Sequence, residues 1–179
     1  MENKQIKKGK IHKPWNRFHI MATRFNRDTW RENVEYCNRK RIKGALYGSR
    51  VRISNTIPPA DYLFVFEMLN IPKGQPGYPG KIMGIGLVKN RIETKKRYTI
   101  YSNTNYNRYI YRGSLRVDRD DMNLKQLRML HIVEKMVFYG YTHIKRGVGI
   151  SRIPSKLIGT KTRVIKRTLC RLFRDALFK

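Results

Sequence analysis

The run Asp61-Tyr-Leu-Phe-Val-Phe-Glu-Met-Leu-Asn70 constrains this chain more than any other stretch. Eight of its residues read as a strand, rich in aromatics and broken by a single charge. Pro58-Pro59 closes it off upstream, and "NIPKGQPGYPG" (70 to 80) must be a loop, since it combines three prolines with three glycines. A strand that is apolar at successive positions has no face left for water, so burial on both sides is expected. The fold must therefore place one layer on each side of this strand. At 179 residues with 40% apolar content, the chain can do so within one domain.

The next segment, "PGKIMGIGLVKN" (79 to 90), has two incompatible readings. A Walker-type phosphate loop needs a glycine separated by four residues from Gly80-Lys81 and a hydroxyl after it, but Gln75 and Ile82 stand there. Gly84-Ile-Gly86 lacks the third glycine of a dinucleotide fingerprint, and "IMGIGLV" is poor helix material. What remains is a strand whose glycines clear one face, as happens where a ligand or neighbouring chain comes close.

Around this pair, "RFHIMAT" (17 to 23) alternates as a first strand, and Thr29-x-x-Glu32 with Asp28 predicts a capped helix over "WRENVEYCNRK". That helix places Val34 and Cys37 on one side. Residues 44 to 54 read as another strand, and two more are expected at 97–102 and 108–117, joined by "NTNYN". Asp118 to Asn123 should cap a helix over 124–140, well buried through Leu127, Met129, Leu130, Ile132, Val133, Met136 and Val137. A last helix, 161 to 178, separates Ile165, Leu169, Leu172, Phe173 and Ala176 from its basic residues. Residues 1–17 form a basic arm, 18–120 the strand-rich body, and 121–179 helices packed upon it, one globular domain in all.

Charge decides the partner class. Forty Lys and Arg against twelve Asp and Glu leave a net +28, a field that draws polyanions and far exceeds what solubility needs. Nucleic acid is the expected partner. No run reaches the roughly 18 apolar residues of a membrane span, and the N-terminus has no apolar core after its charges, so no secretory signal is read there. Cys37 and Cys170 stand far apart without a Cys-x-x-Cys pair, which fits a reducing intracellular setting or a virion interior.

The order of "FHIMAT", the tryptophan-bearing "DTWRENVEYC", "DYLFVFEML" and "GKIMGIGLVKN" resembles the PUA-like superfamily with its EVE, ASCH and YTH members. The likeness covers about residues 18–90. It implies an α+β fold built on a small, mostly antiparallel PUA-like β-barrel with flanking helices, here carrying a basic helical C-terminal extension. It also implies binding of RNA or modified bases in a pocket beside the strands. The YTH aromatic cage is not recovered residue by residue, and the helical last third has no counterpart in the family. Codon-driven usage of Lys, Asn and Ile also resembles proteins of AT-rich genomes, large DNA viruses among them.

Candidate contacts follow from chemistry. Tyr98, Tyr101, Tyr106, Tyr109 and Tyr111 interleave with Arg97, Arg108 and Arg112; bases stack on such rings and arginines hold phosphates. About half the rings should be structural, leaving Tyr106 and Arg108, in an exposed turn, as the contacts, with Arg112 nearby. In "THIKRGVGISR", His143, Lys145, Arg146 and Arg152 surround Gly147 and Gly149, whose backbone N–H groups are suited to an anion nest. Residues 141–179 hold eleven Lys and Arg against Asp175, and Lys161, Arg163, Lys166 and Arg167 would form a rail along the last helix. Gly84, Gly86 and Trp30 mark a candidate base pocket.

Catalysis has less to build on. Glu67 in its apolar strand is a candidate general acid, though pairing with an arginine is the commoner fate of such a residue. Asp118, Asp120 and Asp121 would be a nuclease metal site or, more simply, a helix cap. His and Cys spacings match no metal signature, and no cofactor is expected. The resulting expectation is non-catalytic nucleic-acid binding, RNA favoured, through one continuous basic surface beside a closed sheet. The rivals are a basic structural or virion component bridging genome and protein, and a metal-dependent nuclease.

Overall fold

The structure, a computed structural model, describes residues 18–139 and 143–177, the last three by backbone alone. The basic arm expected over residues 1–17 lies outside the described residues, as does the side chain of Ala176. In chain order the elements are β1 (Phe18–Phe25), α1 (Arg27–Arg39), β2 (Leu46–Ser49), β3 (Tyr62–Asn70), β4 (Gly80–Lys89), β5 (Tyr109–Arg112), β6 (Leu115–Asp118), α2 (Leu124–Phe138), β7 (Ser151–Arg152), α3 (Ser155–Ile158) and α4 (Thr162–Leu177). The chain is α+β. A five-stranded sheet has the order β6-β4-β3-β1-β7, and β2 pairs with β5 in a separate ladder. Every pairing is antiparallel except β1 with β3, which run parallel from Phe18 opposite Tyr62 to Phe25 opposite Leu69.

β3 sits at the centre of this sheet and is buried on both faces. Phe64, Phe66 and Met68 enter a core closed by α2, α3 and α4, where Phe64 meets Phe173 with ring centroids 5.1 Å apart. Leu63, Val65 and Leu69 enter a second core beneath α1, β2, β5 and Tyr98, Ile100 and Tyr101. Burial of a Phe or Leu side chain contributes about 1.5–3 kcal/mol, so two full faces explain why this run anchors the fold. α4 lays Ile165, Leu169, Leu172 and Phe173 into the first core and leaves its lysines and arginines exposed. Among the described residues no helix is long and apolar enough to cross a membrane.

Several expectations are corrected. The described strands do not close into a barrel: β5 and β6 part at Gly113-Ser114 and join different ladders, and Ile92 opposite Tyr111 is an isolated bridge. Strand 44–54 shrinks to four residues at β2 because Val51 and Ser49 turn on a side-chain bond, the Val51 N–H donating to Ser49 Oγ at 3.1 Å. No strand forms over 97–102. There the Asn107 carboxamide takes the N–H groups of Ile100 and Tyr101 at 2.9 and 3.0 Å, satisfying the backbone without a ladder. Asn26, not Thr29, caps α1: its side chain accepts from the Thr29 N–H at 2.8 Å and Thr29 Oγ1 accepts from the Asn26 N–H at 3.0 Å. Asn123 and Gln126 form the same reciprocal cap for α2, while Ile132 faces outward.

Candidate nucleic-acid interface

Two polar constructions interrupt the apolar interior, and the glycines of β4 explain the first. Opposite Glu67 the register of β4 shifts, so Met83 and Gly84 together face one residue, a bulge that re-aims side chains. Glu67 is only 1% exposed. It accepts from the Tyr47 hydroxyl at 2.7 Å and from Arg116 through Nε at 2.9 Å and Nη2 at 2.8 Å. Arg116 also reaches Asp118 at 2.7 Å. A Cβ on Gly84 would come within 2.9 Å of the Glu67 carboxylate, and one on Gly86 would collide with the Tyr47 hydroxyl. The glycines make room for this network, so Gly86 walls no base pocket.

Burial, then the Glu67 charge, pushes the Tyr47 phenol well above its ordinary value. Burial alone would lower the Arg116 guanidinium, yet Glu67 and Asp118 outweigh it and the net movement is upward. Beside this network lies a cavity of about 530 Å³ lined by Trp30, Asn33, Cys37, Glu67, Arg116 and Asp118, among others. Trp30 therefore does border a base-sized space, with the Arg116 guanidinium 5.7 Å from its ring centroid. Burial raises the Cys37 thiol, which keeps it a poor nucleophile there.

The second construction forms where β1 and β3 end side by side. Arg24 projects from β1 into the loop before β7. Its Nε donates to the Ile144 carbonyl at 2.5 Å and its Nη2 to Ser151 Oγ at 2.9 Å, with a longer contact to the Gly149 carbonyl at 3.5 Å. Among the described residues no carboxylate lies within 4.0 Å of it. Burial lowers its pKa from the ordinary arginine value, but an arginine stays charged under any physiological condition. The loop expected to nest an anion instead turns carbonyls toward this guanidinium. Gly147 and Gly149 let it do so, because a side chain at either would press on Arg24 or on Ser49.

That positive charge borders a groove of two adjoining cavities, about 380 and 390 Å³, sharing Asn26, Asn70, Lys145 and Arg146. Thr29 and Tyr106 line the first; Lys73, Tyr78 and His143 line the second. The N-terminus of α1 opens here, which adds partial positive charge. Asn70 ties the wall together, its Nδ2 donating to the Lys145 carbonyl at 2.7 Å, while its Oδ1 and His143 Nδ1 are buried and find no hydrogen-bond partner among the described residues. Lys145 Nζ stands 4.9 Å from the Tyr78 ring centroid. Tyr106 packs edge-on to Tyr101 at 5.9 Å and stays half-buried.

No family model, no curated protein and no solved structure matches the chain. The geometry thus carries the functional reading by itself. It brings Tyr106, His143, Lys145 and Arg146 together although 37 residues of sequence separate the first two. It does not bring Arg108 to them: that guanidinium stacks 5.3 Å from the Tyr109 centroid, alongside Arg52. Tyr98, Tyr101 and Tyr111 are buried core rings. Arg112 donates to the Tyr98 hydroxyl at 3.3 Å and lies toward the opposite end of the sheet. Arg152 is engaged with His19, 3.0 Å away, which in turn meets Asp61 at 2.9 Å. Lys161, Arg163, Lys166 and Arg167 are exposed on and just before α4, and Lys166 sits 5.3 Å from the Phe18 centroid.

Glu67 is committed to Arg116 and Tyr47 rather than poised as an acid. Among the described residues no cluster of three or more His, Cys, Asp or Glu side chains is arranged to hold a metal ion. Asp120 and Asp121 fall in a 3-10 turn ahead of α2. Sequence reasoning missed Arg24, Asn26, Asn70 and Tyr78. A basic residue at the end of an apolar strand, and asparagine immediately after one, were the available signals.

Proposed function

We propose that this protein binds nucleic acid without chemically altering it, with single-stranded RNA the favoured form and the groove at the ends of β1 and β3 as the contact surface. The observation that carries this reading is the meeting of Lys145, Arg146 and Tyr106 around a half-buried Arg24 that no carboxylate pairs among the described residues. Fixed positive charge at the floor and mobile positive charge at the rim suit a phosphodiester, which supplies most of the affinity in such contacts. Tyr106 offers a face for one base, and base–aromatic stacking is sequence-tolerant. The space beside Trp30 and Arg116 is the candidate pocket for a further base. The PUA-like resemblance belongs to the same proposal: the segments on which it rests form β1, α1, β3, the proline-rich loop and β4, and β2 and β5 pair in a ladder of their own.

Fluorescence anisotropy of a labelled single-stranded RNA octamer, titrated with the protein in low salt, tests the proposal. Saturable binding with no cleavage on a denaturing gel is the expected result. Absence of binding at low salt, or scission of the strand in the presence of magnesium, overturns it.

A further inference from the structure

The cations are not gathered at one place. At the far end of the sheet, where β3 begins and β4 ends, a cavity of about 530 Å³ is lined by Lys89, Arg91, Lys95 and Arg112. It shares Glu93, Arg112, Gly113 and Ser114 with a neighbour of about 500 Å³ that adds Arg41 and Lys43. Six cations thus face two joined hollows with one carboxylate among them. Glu93, whose Oε1 accepts from the Lys95 backbone N–H at 2.9 Å and so closes a turn, offsets only one of the six charges. None of the six lies within 4.0 Å of a carboxylate among the described residues, unlike Arg31, Arg116 and Arg119, which all do.

Two of these charges are also held in place. Lys89 ends β4 with its ammonium 5.1 Å from the Tyr62 ring centroid, and Arg112 ends β5 against the Tyr98 hydroxyl at 3.3 Å. A lysine on a ring face and an arginine on a phenol oxygen, neither paired with an acid, keep their charge available to a ligand. A rise of about 3.3 Å per residue along the nine residues of β3 sets this face about 26 Å from the Lys145–Arg146 groove.

We infer that this face is a second site for a nucleic-acid backbone, and that one chain holds two separate segments of nucleic acid at its two ends. The inference rests on the proposed function, and it turns a binding module into a bridge. The separation exceeds the Debye length at physiological salt, about 8 Å, so occupation of one end leaves the other attractive.

The test is a two-oligonucleotide capture. A biotinylated single-stranded RNA octamer on streptavidin is loaded with protein, washed, and offered a second, fluorescent octamer. Wild type should retain the second strand, and its limiting stoichiometry by analytical ultracentrifugation should be two octamers per chain. The variant with Lys89→Ala, Arg91→Ala, Lys95→Ala and Arg112→Ala should still bind the first octamer but carry over about tenfold less or lower of the second, as expected for losing several phosphate contacts. Equal carry-over by wild type and variant, or a wild-type stoichiometry of one, overturns the inference while leaving the proposed function standing. A variant that binds neither octamer would place all binding on this face and overturn the two-site arrangement. Wild type that binds no RNA at all removes both.

Discussion

Arg116 and Arg24 are both withdrawn from solvent, and they meet opposite kinds of partner. Arg116 faces two carboxylates, Glu67 and Asp118, inside a closed set of hydrogen bonds that includes Tyr47. Arg24 faces two carbonyls and a serine hydroxyl. The first arrangement cancels its charge and fixes β2, β3 and β6 together. The second satisfies the guanidinium's donors but leaves its charge uncompensated, so the field passes outward into the groove that Lys145 and Arg146 rim. Hydrogen bonding and neutralisation are separate requirements, and a half-buried arginine that meets only the first is a standing attraction for an anion.

The largest consequence falls on the neutralised partner. Glu67→Ala leaves the Tyr47 hydroxyl without its acceptor and Arg116 with Asp118 alone, and should cost about 3–5 kcal/mol in urea unfolding. Its surviving folded fraction should keep the phosphate contacts of the Lys145–Arg146 groove, read as an unchanged salt slope; a loss below about 1 kcal/mol would mean the pair does not hold the strands. Arg24→Met comes next. It strands the Ile144 carbonyl and should destabilise by about 1–3 kcal/mol, but here RNA affinity must fall as well. If affinity is unchanged, the contrast between the two arginines has no functional meaning.

Tyr106→Ala sharpens the contrast from the ligand's side. Loss of one stacked base predicts about 1–3 kcal/mol weaker binding of RNA, read by anisotropy, whereas Tyr109→Ala should change affinity little because its ring is occupied by Arg52 and Arg108. The smallest effect is pH-linked. Tyr47 has its folded pKa raised above the ordinary value near 10, so its neutral form belongs to the folded state. The stability it confers is complete below pH 10 and drains as the unfolded phenol ionises above it. Tyr47→Phe should flatten the alkaline limb of a Tm-versus-pH curve relative to wild type.

Much of the frame was legible in the residues. β3 announced its burial by unbroken apolarity, β4 by glycine spacing, and α2 and α4 by their apolar stripes. Glu67 was readable as the partner of some arginine. Which arginine was not, because Arg116 lies 49 positions away and only strand pairing brings it close. The same limit hid the groove. Arg24 looks like an ordinary strand terminus until a loop 120 residues later folds over it. The tyrosine-rich segment misled for a local reason: its alternation suits a strand, yet Asn107 supplies the backbone's bonds from a side chain and turns the segment inward. The single basic surface expected from the composition is replaced by charge at both ends of the sheet and along α4.

The account depends on uncompensated charge at the ends of β1 and β3 drawing phosphate. The direct measurement is the dissociation constant for a single-stranded RNA octamer across a salt series, for wild type and for the Lys145→Ala, Arg146→Ala double variant. The account predicts a straight log–log line for wild type and a slope shallower by about 1.4 in the variant, two phosphates at about 0.7 each, with stability changed by less than about 0.5 kcal/mol. Identical slopes in the two proteins, or affinity indifferent to salt, would contradict it.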